Sequence, residues 1–220
     1  MLARGIRSYH RPNRIEQALG LAAQGVIPLA GGTRLLAATA TGIAHCPSSN
    51  LRLGSGIAPL RRMLDAGISV GLGVDGSASN DSSNMLAETR QALLAHRLVD
   101  DPAKWITARE VLWMATRGGA KCLGRDDVGS LEAGKAADLI AIDTRRLSYA
   151  GAGSDILAAI VFSPWPEPVD LAMVNGKIVV EGGELVGVDV PALVERADRI
   201  SVTLLAQASR KTGKDYFKRR

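Results

Sequence analysis

Asp75 is the residue best placed for chemistry. It ends the apolar run SVGLGVD (69–75), and the polar loop GSASNDSS (76–83) follows it. A carboxylate at the carboxyl end of a strand can hold a metal ion, or move a proton between water and substrate. An Asp that opens such a loop can equally bond the backbone N–H groups beyond it. The residue types leave both roles open. His45 and Cys46 end the preceding apolar run, IAHC (43–46). A catalytic zinc takes about three protein ligands. His45 and Asp75 supply two at most, and in a regular strand Cys46 turns to the face opposite His45. His45 therefore reads as pocket wall or buried polar group. His10 and His96 stand in no ligand spacing. Gly31, Gly32 and Thr33 are the remaining candidates. Their backbone N–H groups can cradle a phosphate, although any tight turn wants the same residues.

The elements that must position these residues follow from the spacing of apolar side chains. Residues 14–24 suit a short amphipathic helix with Ile15, Leu19 and Ala22 on one face. The run IAHC predicts a short strand, and Pro47 to Gly56 a loop. A helix is expected over 57–66, then a strand ending at Asp75. The Ser/Asn-rich loop leads into a helix over 84–98, with Met85, Leu86, Leu93 and Leu94 facing inward. Thr107 and Glu110 have the spacing of a capping box, opening a helix that runs to Cys122. This is the rhythm of a parallel α/β fold. Beyond Gly124 it stops. GSLEAGKAADLIAID, VDLAMVNG and KIVVEGGEL read as strands joined by Gly-rich turns, with Asn175 and Gly176 forming a hairpin. Pro191 opens a last helix with Leu193, Ala197, Ile200, Leu204 and Ala208 as its stripe. Trp105, Trp113 and Trp165 read as packing residues.

Composition narrows the function classes. With 46% apolar residues the 220-residue chain can bury a core. No apolar run approaches the ~20 residues that span a bilayer, and the start lacks the apolar stretch of a secretory signal. Two cysteines exclude a disulfide scaffold and point to a reducing, cytoplasmic setting. The net charge of +5 resides at the two ends, while residues 42–208 are slightly acidic. The basic tail RKTGKDYFKRR reads as solvated rather than as a nucleic-acid contact, because no recognition motif accompanies it.

The segments AHCPSSNLRLGSGIAPLRRMLDAG and VGLGVDGSASND closely resemble the last part of an amidohydrolase-superfamily barrel. The nearest group is that of the 8-oxoguanine deaminases, within the cytosine deaminase and chlorohydrolase-like branch. GSLEAGKAADLIAID and VNGKIVVEGGEL are similar to the β-module that those enzymes build beside the barrel. The resemblance covers residues 42–220. It implies an α/β fold in which the chain is a C-terminal fragment of a (β/α)8 barrel, its last two strands, with a small β-module and a C-terminal helix. It further implies a divalent metal, zinc, in intact relatives, held by a His-x-His pair, a further His and a last-strand Asp. Asp75 is the counterpart of that Asp, which touches the metal and shuttles protons. Ser49, Asn50 and Ser77 fall where the family's pocket wall lies, with His45 beside them. No His-x-His occurs in this chain. A whole barrel takes ~250 residues, so strands one to six are missing and the fragment is expected neither to hold the metal nor to act alone.

Residues 9–36 resemble a different family, the FAD-binding subunit of xanthine dehydrogenase-type molybdenum hydroxylases. Gly31, Gly32 and Thr33 match the turn that meets the flavin phosphates there, and Arg34 replaces an acidic residue. Three segments follow: a flavin-subunit-like leader over 1–41, the end of the barrel over 42–124, and the β-module with its helix over 125–220. Both families belong to purine catabolism, and the change near Ala40 suggests an in-frame gene fusion. The expected function is hydrolysis of a non-peptide C–N bond, most like deamination of 8-oxoguanine or a related aminopurine. The alternatives are a catalytically dead remnant, an interaction module that associates with other chains through exposed barrel edges, and a partial FAD-binding oxidoreductase segment. A small-molecule aminopurine is the expected ligand, with no nucleic-acid or membrane partner.

Overall fold

The computed structural model describes residues 42–98, 101–163 and 168–218. The helix expected over 14–24, the Gly31–Gly32–Thr33 turn and Trp165 lie outside the described residues. Those residues form two compact units. One holds 42–98, 101–138 and 143–163; the other holds 139–142 and 168–218.

The first unit begins with β1 (Ile43–His45), α1 (Pro47–Leu53), α2 (Leu60–Asp65) and β2 (Val70–Leu72). β1 and β2 pair in parallel, with His45 opposite Leu72. They form a two-stranded sheet, so the described residues contain no closed barrel. The stretch after His45, expected as a loop, is largely helical. Its Pro and Gly punctuate a helix: Pro47 occupies the first turn and Gly54 is the left-handed C-cap.

Next come α3 (Met85–His96), α4 (Ala108–Trp113), a π-helical turn (Met114–Gly118) and α5 (Gly119–Cys122), with α6 (Ile156–Phe162) closing the unit. Asn84 caps α3, and the Thr107–Glu110 capping box is complete. Leu60, Val70, Leu72, Leu93, Val111 and Met114 anchor the core. Trp113 packs against it, and the Arg97 guanidinium lies over Trp105. On α3, Leu93 is buried as expected but Met85 is exposed. The buried face instead carries Glu88, Thr89, Ala92 and His96. The helices approach β2 through glycines. A Cβ on Gly118 would stand 2.2 Å from the Val70 carbonyl oxygen, and one on Gly71 would stand 2.8 Å from Gly119 Cα.

The second unit is an antiparallel sheet in the order β3 (Leu139–Ala141), β4 (Leu171–Val174), β5 (Lys177–Glu181), β6 (Glu184–Leu185). Asn175 and Gly176 make the expected tight turn between β4 and β5, with φ of 49° and 75°. Only three residues of GSLEAGKAADLIAID are strand, since Gly and Asp interrupt its alternation. α7 (Val190–Thr212) has Asp189 as N-cap, Pro191 in its first turn and Gly213 as its left-handed cap. Its stripe is present, but Leu193, Ile200 and Leu204 are exposed. No helix among the described residues is long and apolar enough to cross a membrane.

Candidate functional site

β2 delivers Asp75 to an exposed position just beyond its carboxyl end. The backbone there is left-handed, with φ of 61°, a conformation Asp tolerates better than most residues. α1 begins at the matching end of β1 and brings Ser49 alongside. The buried Ser49 hydroxyl donates to Asp75 Oδ2 at 2.6 Å. Ser79, in the loop after Asp75, donates to the same oxygen at 3.0 Å. The Ser49 hydroxyl, the Gly76 N–H and the Ser79 hydroxyl hold the Asp75 carboxyl below its ordinary range. The carboxylate is thus ionised at neutral pH and open to solvent. Of the two roles left open by the sequence, the backbone-bonding one is present, since Asp75 accepts the Gly76 N–H, and the carboxylate remains exposed.

Beneath the loops, Glu88 Oε2 accepts the Ser48 N–H at 3.2 Å, and Oε1 accepts Asn80 Nδ2 at 2.8 Å. At the surface, Arg52 of α1 pairs with Asp81 of the loop. Between them lies a polar recess of about 300 Å³ that includes Ser48, Arg52, Ser79 and Asn80.

The other expected residues are placed differently. His45 is buried and faces His96, with Nε2 atoms 3.5 Å apart and the rings edge to face. Burial, and to a lesser degree the His96 charge, pushes His45 down to about 4, so it is neutral at pH 7. Burial and the negative charges of Asp75 and Glu88 push the Cys46 thiol up, which keeps it protonated. Asn50 sits half-buried on α1, and Ser77 is exposed. Of the expected pocket residues, only Ser49 bonds Asp75. The residues that sequence reasoning missed are Ser79, Asn80 and Glu88. Glu88 carried a signal, because it shares a helical face with Ala92 and Ala95 and so points toward the core.

A resident metal requires more than this set supplies. Among the described residues, no group of three or more His, Cys, Asp or Glu side chains could hold a metal ion. Asp75 alone does not fit one.

The model of the amidohydrolase family matches residues 4–179, a span that takes in most of the 1–41 segment expected to resemble a flavin-binding subunit. A 5-methylthioadenosine/S-adenosylhomocysteine deaminase of Pelotomaculum thermopropionicum is 41% identical over 80% of this chain and 40% of its own length. An 8-oxoguanine deaminase of Pseudomonas aeruginosa is 44% identical over 79% of this chain and 38% of its own. Among solved structures, the atrazine chlorohydrolase of Arthrobacter aurescens in complex with zinc superposes with a TM-score of 0.73 at 41% identity, covering 79% of this chain and 39% of that one. The chain spans about 40% of the length of these relatives. Zinc in that solved relative supports a divalent metal in intact relatives. The match, running over most of the sequence, establishes that the chain belongs to the amidohydrolase family.

Proposed function

We propose that this chain carries the Asp75 side of a hydrolase site that cleaves an exocyclic C–N bond on a small nitrogen heterocycle, most like the deamination of 8-oxoguanine or a related aminopurine. The observation that carries this reading is the exposed Asp75 carboxylate, fixed at a strand end by Ser49, Ser79 and the Gly76 N–H. An ionised, oriented carboxylate can take a proton from the attacking water and return one to the departing amine. Water adds to the ring carbon, and ammonia leaves. The relatives' names support the reaction class: two are deaminases of purine-containing molecules, and a third is a hydroxydechloroatrazine ethylaminohydrolase.

The described residues supply one carboxylate of such a site, and the remaining groups are proposed to come from a complementing chain. The test is to co-express the 220-residue chain with the part of the Pseudomonas aeruginosa 8-oxoguanine deaminase that it does not match, and to measure ammonia released from 8-oxoguanine. Release by the assembled pair, and none by either piece, is the expected result. An assembled pair that releases no ammonia from 8-oxoguanine or other aminopurines overturns the reading.

A further inference from the structure

The Ser49–Asp75 bond is one side of a closed ring. Ser48 precedes Ser49, and its N–H donates to Glu88 Oε2. Glu88 Oε1 accepts one proton of Asn80 Nδ2, and that same amide nitrogen donates to the Val74 carbonyl at 2.9 Å. Val74 precedes Asp75, which accepts from Ser49. Four hydrogen bonds and two peptide links therefore join α1, the loop after β2 and α3 into one circuit. Glu88 is the only member supplied from outside the two strand-end segments.

We propose that Glu88 is a positioning residue that sets the distance between Ser49 and Asp75. Its functional meaning rests on the role proposed above for Asp75; its structural effect does not. Three observations support it. Glu88 is fully buried, an unusual place for a carboxylate unless its oxygens are satisfied. Its two oxygens serve two different segments, so the carboxylate spans them rather than anchoring either alone. And α1 has no side-chain cap of its own, since Cys46 makes none; Glu88 performs that task from a helix 40 residues away in sequence. Gln at this position keeps the shape but offers one acceptor and one donor to two donors. One side of the ring must then open.

The test uses the full chain and three variants, Glu88→Gln, Asn80→Ala and Ser49→Ala, read by NMR at pH 7. Ser49→Ala gives the Asp75 side-chain carboxyl ¹³C shift for a broken Ser49–Asp75 bond. The expected result is that Glu88→Gln moves this signal toward the Ser49→Ala position. It should also speed exchange of the Asn50, Ser79 and Asn80 amides at least tenfold, while the Ile43 and Gly73 amides between the strands hold. Asn80→Ala, which opens the ring from the loop side, should move the same carboxyl signal even if Glu88→Gln fails to fold. A wild-type Asp75 signal in the folded variants overturns the proposal. So does uniform acceleration of every amide, which would make Glu88 a contributor to general stability alone. Neither readout needs turnover, so failure of the deaminase reading leaves this test standing.

Discussion

The hydroxyl of Ser49 lies 2.6 Å from Asp75 Oδ2 and joins the helix after β1 to the loop after β2. A hydroxyl donating to a carboxylate is a charge-assisted bond, stronger than one between neutral groups. It is also the first of the three contacts that lower the Asp75 pKa. Ser49→Ala should therefore raise that pKa toward the ordinary value of 3.8. Carboxyl ¹³C titration checks this. An unchanged titration would show that Gly76 and Ser79 hold Asp75 unaided.

His45 makes the stability of the first unit depend on acid. Its pKa falls from 6.5 to about 4 on folding, so the folded state resists its protonation. The unfolded chain takes up the proton first, as pH drops below about 6.5. Stability should be full above that value, decline between 6.5 and 4, and level off below. The whole shift corresponds to about 3 kcal/mol. Urea unfolding of wild type and His45→Gln at pH 7 and pH 4.5 isolates this contribution from the carboxylates. The wild type should lose more stability than the variant. Equal losses would mean that His45 titrates normally in the folded chain.

Gly118→Ala should be among the most damaging single changes. The added carbon would meet the Val70 carbonyl oxygen at 2.2 Å, and that atom belongs to the backbone of the buried strand β2. Backbone cannot swing aside as a side chain can. A cost of about 3 kcal/mol or more is expected, at the upper end for overpacking. Thermal unfolding reads it directly, and a near-wild-type midpoint would contradict the packing described for the π-helical turn.

In the second unit, Asn175 occupies a left-handed conformation at the β4–β5 turn. Asn175→Ala should destabilise the hairpin by about 1 kcal/mol. Faster amide exchange confined to β4 and β5 would show it.

Much of this architecture was legible because it depends on local chemistry. Thr107 and Glu110 cap a helix, and Asn175 and Gly176 turn a hairpin, for reasons contained within a few residues; the strand expected to end at Asp75 stops at Leu72, three residues earlier. The site's support was less legible. Glu88 is 40 residues from Ser48, and nothing near it in sequence announces that it will cap another helix. Ser77 and Ser79 look alike in the loop, and it is the second that bonds the carboxylate of the left-handed Asp75. The segment after His45 misled for a related reason, since Pro and Gly mark helix ends as readily as loops.

Asp75 is proposed above as the working carboxylate of this chain. Asp75→Asn, in the assembled pair described above, tests it most directly. The variant keeps the size and the Ser49 and Ser79 contacts to oxygen but cannot take up a proton at that oxygen under neutral conditions. Ammonia release from 8-oxoguanine should fall about a hundredfold or more, with the pair still assembled. Release at the wild-type rate from an assembled Asp75→Asn pair would contradict it.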